Sequence, residues 1–197
     1  MDKKKKPLYD ENGKWVNQDS RILSGIRKAY RLSPQMQEAL REARVELPPL
    51  PLKSGKPGKR VRVRFKCSSC GELFSGKRVQ VDHIEPATPL EKTVGEMSWD
   101  EVIDGIFCKV DNLQVLCSIP MSKNGGVPSC HAKKSAKENW IRRKLKSGEY
   151  DPKMLNRMEV IEEEYNQYLV EKEDLRLAKE ARKKERERKK LLKLNKA

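Results

Sequence analysis

Apolar residues follow two rhythms along this chain. Toward both ends they recur every third or fourth position, and in the middle every second position. In DSRILSGIRKAYRL, Ile22, Ile26 and Ala29/Tyr30 share helical spacing, with Asp19 or Ser20 as cap. Ser33 caps a second helix with Pro34 at its first position, and Met36, Ala39, Leu40 and Ala43 form its apolar face. Residues 19–45 are therefore expected to be a helical hairpin. Its Arg21, Arg27, Lys28 and Arg31 read equally well as solvated charges or as DNA contacts. Pro48, Pro49, Pro51 and Pro57 make residues 46–59 a stiff linker.

The period then drops to two. In KRVRVRFKC, Val61, Val63 and Phe65 point one way, while Arg60, Arg62, Arg64 and Lys66 point the other. One face can pack while the other offers cations to phosphate. VDHIEP reads as a strand end broken by Pro86. Ser98-Trp99-Asp100-Glu101 is a capping box that opens a short helix, and Leu113, Val115 and Leu116 suit a second strand entered at Asn112. CHAKKSAKENWIRRKLKSG reads as a helix with Ala132, Ala136, Trp140 and Leu145 near one face, ended by Gly148. Asp151-Pro152 is expected to open a long helix to the C-terminus. Leu155, Met158, Ile161, Tyr165 and Tyr168/Leu169 give it an apolar stripe, and beyond Ala178 it is almost all charge.

Composition narrows what this pattern can build. Of the 197 residues, 37% are charged, 36% hydrophobic and 6% aromatic, too few apolar groups for one core spanning the chain. A compact centre stiffened by something besides burial is expected. The net charge of +15 favours a polyanionic partner, because bound cations release counterions from nucleic acid. No apolar run suits a bilayer, and MDKKKKPLYD has no apolar stretch behind its basic start, so no membrane partner and a cytoplasmic location are expected. Residues 1–18 read as a flexible basic tail with Trp15 as an anchor.

Five cysteines in a reducing compartment point to metal ligands or free thiols. Cys67-Ser68-Ser69-Cys70-Gly71 is a knuckle in which two thiolates can reach one metal. Cys117 and Cys130 can supply the other pair, closing a four-sulfur structural Zn2+ site. Cys108 reads as a buried free thiol, or as a replacement for Cys117. Of the two histidines, His83 follows Asp82, and His131 follows Cys130 in the first turn of a helix. There the free amides favour a phosphate, with Lys134 three residues on.

The order C-x-x-C, VDHI, DNLQVLC, CHAKK resembles the HNH endonuclease family over about residues 60–142. The resemblance implies a small zinc-stabilised ββα-metal core over residues 60–149; with the N-terminal hairpin and a long basic C-terminal helix over residues 150–197 read from the residues themselves, the expected fold is α+β. It implies His83 as general base and Asn112 as the residue fixing the loop that carries it. Asp82 and His131 would hold one catalytic divalent cation, Mg2+, Mn2+, Ni2+ or Zn2+. Lys134 and Lys133, with Arg60, Arg62 and Arg64, would contact DNA. A regular strand would send Asp82 and His83 to opposite sides, so a twisted strand end that turns both inward is expected.

The function implied is divalent-metal-dependent hydrolysis of DNA phosphodiester bonds by nicking or double-strand cleavage, in a bacterial or bacteriophage setting. The alternatives are a nuclease selective for branched DNA, and a zinc-stabilised nucleic-acid-binding protein without catalysis. The C-terminal helix offers a surface for a protein partner or self-association. Two stretches are longer than the family pattern, one between His83 and Asn112 and one between Cys117 and Cys130.

Overall fold

The structure, a computed structural model, describes residues 11, 18–51, 56, 58 and 60–194. The expected basic tail, Trp15 included, falls outside the described residues apart from residues 11 and 18. So do residues 52–55, 57 and 59 of the linker. The described residues form a mixed α+β protein with five α-helices and two small antiparallel sheets. The chain divides into two compact units, residues 1–135 and 136–197.

In the first unit, α1 (Gln18–Tyr30) and α2 (Pro34–Glu42) make the hairpin. The Ser33 hydroxyl accepts the Met36 amide at 3.3 Å, and Pro34 opens α2 where a missing N–H costs nothing. The end of α2 differs from expectation. Arg44–Leu47 is not helix or linker but strand β1, paired antiparallel with β2 (Arg62–Lys66), which in turn pairs with β3 (Leu73–Phe74). Val45 and Leu47 alternate with Arg44 and Glu46, and β2 supplies the ladder this alternation needs. Directly opposed residues share a face, so Arg62 lies with Leu47 and Arg64 with Val45. The Arg62 guanidinium donates to the Pro48 carbonyl, and that of Arg64 to the Val63 carbonyl, both at 3.0 Å.

The second sheet pairs β4 (Val79–His83) with β5 (Leu113–Cys117), in register from Val79 opposite Cys117 to His83 opposite Leu113. Between them lies α3 (Trp99–Ile106), opened by the Ser98–Glu101 box. A second box, Thr93–Glu96, closes a single 3-10 turn just before it. Gly105 lets α3 lie against the backbone beyond His83, since a Cβ there would sit 2.2 Å from the Ala87 carbonyl oxygen. The core gathers Tyr30 and Ala39 from the hairpin, Val102 and Ile106 from α3, and Leu113 from β5, with Val81 and Phe107 packed around them.

α4 (Cys130–Ser147) begins in the first unit, and its later turns belong to the second. Gly148, at φ 77°, ends it. The long helix does not start at Pro152. Residues 152–156 form a 3-10 turn whose Met154 amide donates to Asp151 Oδ1 at 3.1 Å, and α5 runs Met158–Leu194. Arg157, at ψ 53°, leaves helical backbone and separates the two. Ile141 and Ile161 are fully buried. Around them Trp140 packs edge-on against Tyr150, with ring centroids 5.8 Å apart, and tilted against Tyr165, with centroids 5.2 Å apart. The stripe expected along α5 buries Ile161 and Tyr165 but leaves Met158 and Leu169 exposed. Charge is segregated along this helix. Residues 158–174 carry seven acids against one lysine, and residues 175–194 carry ten basic residues against three acids. Glu159 in the first turn suits the helix dipole.

Candidate functional site

Four sulfurs come together in the first unit. The ligand atoms of Cys67, Cys70, Cys117 and Cys130 all lie within 4.8 Å of one another. Tetrahedral zinc thiolates place sulfurs about 3.8 Å apart, so this cluster can hold a metal ion, and an all-thiolate donor set suits Zn2+. Local chain geometry builds it. Gly71 takes φ 74°, closing a turn in which its amide donates to the Cys67 carbonyl at 2.9 Å. The Cys117 amide donates to Cys67 Sγ at 3.3 Å, and the Cys130 amide to Cys117 Sγ at 3.2 Å. Cys108, the alternative to Cys117, lies outside the cluster, with its Sγ 3.9 Å from the Tyr30 hydroxyl.

The stretch between Cys117 and Cys130 folds on itself. The Gly126 amide donates to the Met121 carbonyl at 2.9 Å, and the Asn124 side chain donates to the Val127 carbonyl at 2.8 Å. It returns the chain to Ser129, whose hydroxyl accepts the Ala132 amide at 3.4 Å and caps α4.

Burial pushes the Cys67 thiol up, but the amides of Cys70, Cys117 and Ser69 aimed at its sulfur outweigh that and lower it to about 7. Burial raises Cys117 to about 12, helped by the neighbouring Cys130 and Cys67 sulfurs. Burial also raises Cys70. Thiols must ionise to bind metal. Loading Zn2+ near neutral pH is therefore expected to release protons from Cys70 and Cys117. Calorimetry in buffers of different ionisation enthalpy should show a buffer-dependent heat; a buffer-independent heat would exclude them as ligands.

The second cluster lies at the end of β4. His83 Nε2 is 3.1 Å from the Ile106 carbonyl oxygen. A carbonyl only accepts, so Nε2 is the donor in this bond, and in the neutral ring the lone pair then lies on Nδ1. The ring stacks on Tyr30, with centroids 5.5 Å apart. Beyond His83, Asn112 clasps the chain: its Oδ1 accepts the Glu85 amide at 2.7 Å and its Nδ2 donates to the Glu85 carbonyl at 3.1 Å. The Ile84 amide donates to the Asn112 carbonyl at 2.8 Å.

Asp82 pairs with Lys134 at 3.2 Å; both side chains are about one-fifth exposed, 22% and 21%. The ladder stays regular through His83, so Asp82 meets α4 while His83 meets α1 and the end of α3. The half-buried His131 is one turn before Lys134 on the same side of α4. The Lys134–Asp82 pair therefore brings β4 up to the helix side that carries His131. Lys133 and Arg60 are exposed.

Tyr30 and the Ile106 carbonyl escape a sequence reading, as does Gln114, whose Nε2 reaches the His83 carbonyl at 3.5 Å. The place of Gln114 opposite Asp82 emerges only with the strand register. No family model, curated protein or solved structure matches this chain. Among the described residues no helix is long and apolar enough to cross a membrane.

Proposed function

We propose that this chain is a divalent-metal-dependent DNA endonuclease of the HNH kind, stabilised by Zn2+ on Cys67, Cys70, Cys117 and Cys130. The observation that carries this reading is the bond of His83 Nε2 to the Ile106 carbonyl. It leaves Nδ1 able to take a proton from an attacking water, the task of a general base in phosphodiester hydrolysis. Asn112 supports that role by pinning the backbone just past His83 at two atoms of Glu85. Asp82 and His131 offer a hard carboxylate oxygen and an imidazole nitrogen, donors that suit a catalytic divalent cation. That a cationic group already rests on Asp82 agrees with a site for positive charge. When bound, such a cation stabilises charge on the phosphate and on the leaving 3′-oxygen. Lys134, released from Asp82, can then contact a neighbouring phosphate. Lys133 and Arg60 add exposed cations for the DNA backbone.

The Lys134–Asp82 pair also favours a second reading. A carboxylate already neutralised by a lysine suits a zinc-stabilised nucleic-acid-binding protein without catalysis. One experiment separates the two. Purified protein is incubated with supercoiled plasmid and with a branched duplex over titrations of Mg2+, Mn2+, Ni2+ and Zn2+, with EDTA as control. Nicked or linear product that needs added metal is expected. DNA binding without cleavage of either substrate under any of the metals would overturn the nuclease reading in favour of the binding protein.

A further inference from the structure

We propose that Tyr30 is a positioning residue for His83: its ring fixes the plane of the imidazole whose protonated nitrogen the Ile106 carbonyl fixes. The proposal rests on the nuclease reading and adds to it a residue from the N-terminal hairpin, outside the stretch that resembles the family.

A single bond from Nε2 to a carbonyl anchors one point of an imidazole. The ring can still swing about that point, carrying Nδ1 with it. A flat neighbour removes this freedom, and Tyr30 supplies one, stacked on His83 at 5.5 Å between centroids and 26° between planes. Tyr30 is itself held. It is only 6% exposed, packs edge-on against Phe107 at 5.3 Å, and has its hydroxyl 3.9 Å from Cys108 Sγ. Phe107 follows Ile106, so one short segment supplies both the carbonyl that bonds His83 and the ring that backs Tyr30. The three contacts close a triangle of α1, the end of α3 and the end of β4. A residue that only filled the core would need no parallel face on the imidazole.

The test compares Tyr30→Leu, which fills space without a flat face, with Tyr30→Phe, which keeps the ring. Cleavage kinetics on plasmid are measured beside the His83 tautomer by long-range proton–nitrogen NMR, where two histidines make assignment simple. Zinc content and melting temperature are followed in parallel. Tyr30→Leu is expected to lower kcat by roughly 10- to 100-fold with KM for DNA unchanged. Its His83 is expected to shift from the Nε2–H tautomer to a mixture. Tyr30→Phe should restore both. If Tyr30→Leu does not fold, Tyr30→Met refills the core with a flexible chain and carries the same comparison. Unchanged kcat and tautomer in a folded variant would overturn the proposal and leave Tyr30 a packing residue. If the wild type cleaves no substrate yet the tautomer still moves, the nuclease reading fails, and with it any catalytic part for the histidine that Tyr30 holds.

Discussion

His83→Ala is expected to lower metal-dependent cleavage by roughly 10²- to 10⁴-fold, the range a positioned general base contributes. The loss should fall on kcat, because no DNA contact is assigned to this side chain. Stability should change much less. The bond to Ile106 is worth about 1 kcal/mol and the stack on Tyr30 about 0.5–1.5 kcal/mol. Melting should therefore drop by several degrees without loss of the fold. The four sulfurs lie elsewhere, so zinc content should hold at the wild-type value. Parallel measurement of cleavage, melting and bound zinc separates a missing base from a damaged protein. Wild-type rates in a folded His83→Ala protein, with the same metal requirement, would place the base on another group.

Cys117→Ala should do the opposite and take the first unit apart. Structural zinc sites in small domains contribute about 10–16 kcal/mol of binding free energy, against about 5–15 kcal/mol for the net stability of a whole domain. The sulfurs are also a core. Cys67 and Cys117 are buried with Leu116, and Phe74 and Cys130 pack around them. The sulfurs tie β2 and β3 to β5, and β3 is only two residues long. The Ser68 amide does reach the Val115 carbonyl at 2.8 Å, but it rides on the same knuckle. Hydrogen exchange is the direct check. In Cys117→Ala, or after zinc chelation, the amides of β5 should lose protection together, and cleavage should vanish with them. A variant that keeps wild-type zinc stoichiometry and β5 protection would show that Cys117 is not a ligand.

Features written into neighbouring residues were legible in the sequence; features that depend on a distant partner were not. The caps at Ser33 and Ser98 were legible because the hydroxyl and the amide it satisfies lie three residues apart. Thr93–Glu96 has the same spacing, yet opens only a 3-10 turn. Strand β1 was missed because four alternating residues between a helix and a run of prolines say little without β2 to pair with. The cysteine set was legible, with Cys108 as the spare thiol, and the fold agrees by gathering Cys117 with the other three and leaving Cys108 beside Tyr30. The partners of Asp82 and His83, Lys134 on α4 and the Ile106 carbonyl at the end of α3, lie far from them in sequence. Tyr30 stands far from His83 in sequence, and a tyrosine on an amphipathic helix looks like any other core residue until its neighbour is known.

The two long stretches of this chain differ in how freely they could change size. Residues 118–129 satisfy much of their hydrogen bonding among themselves and deliver only their two ends to the sulfur cluster. Doubling such a loop costs only about 0.6 kcal/mol in closure entropy, so the segment can grow or shrink while Cys117 and Cys130 stay in place. Residues 84–111 have no such licence. They bring the Ile106 carbonyl to His83 and seat Gly105 against Ala87, so a deletion there would remove a wall of the site. Of two long stretches that look alike on paper, one is a spacer and the other is a part.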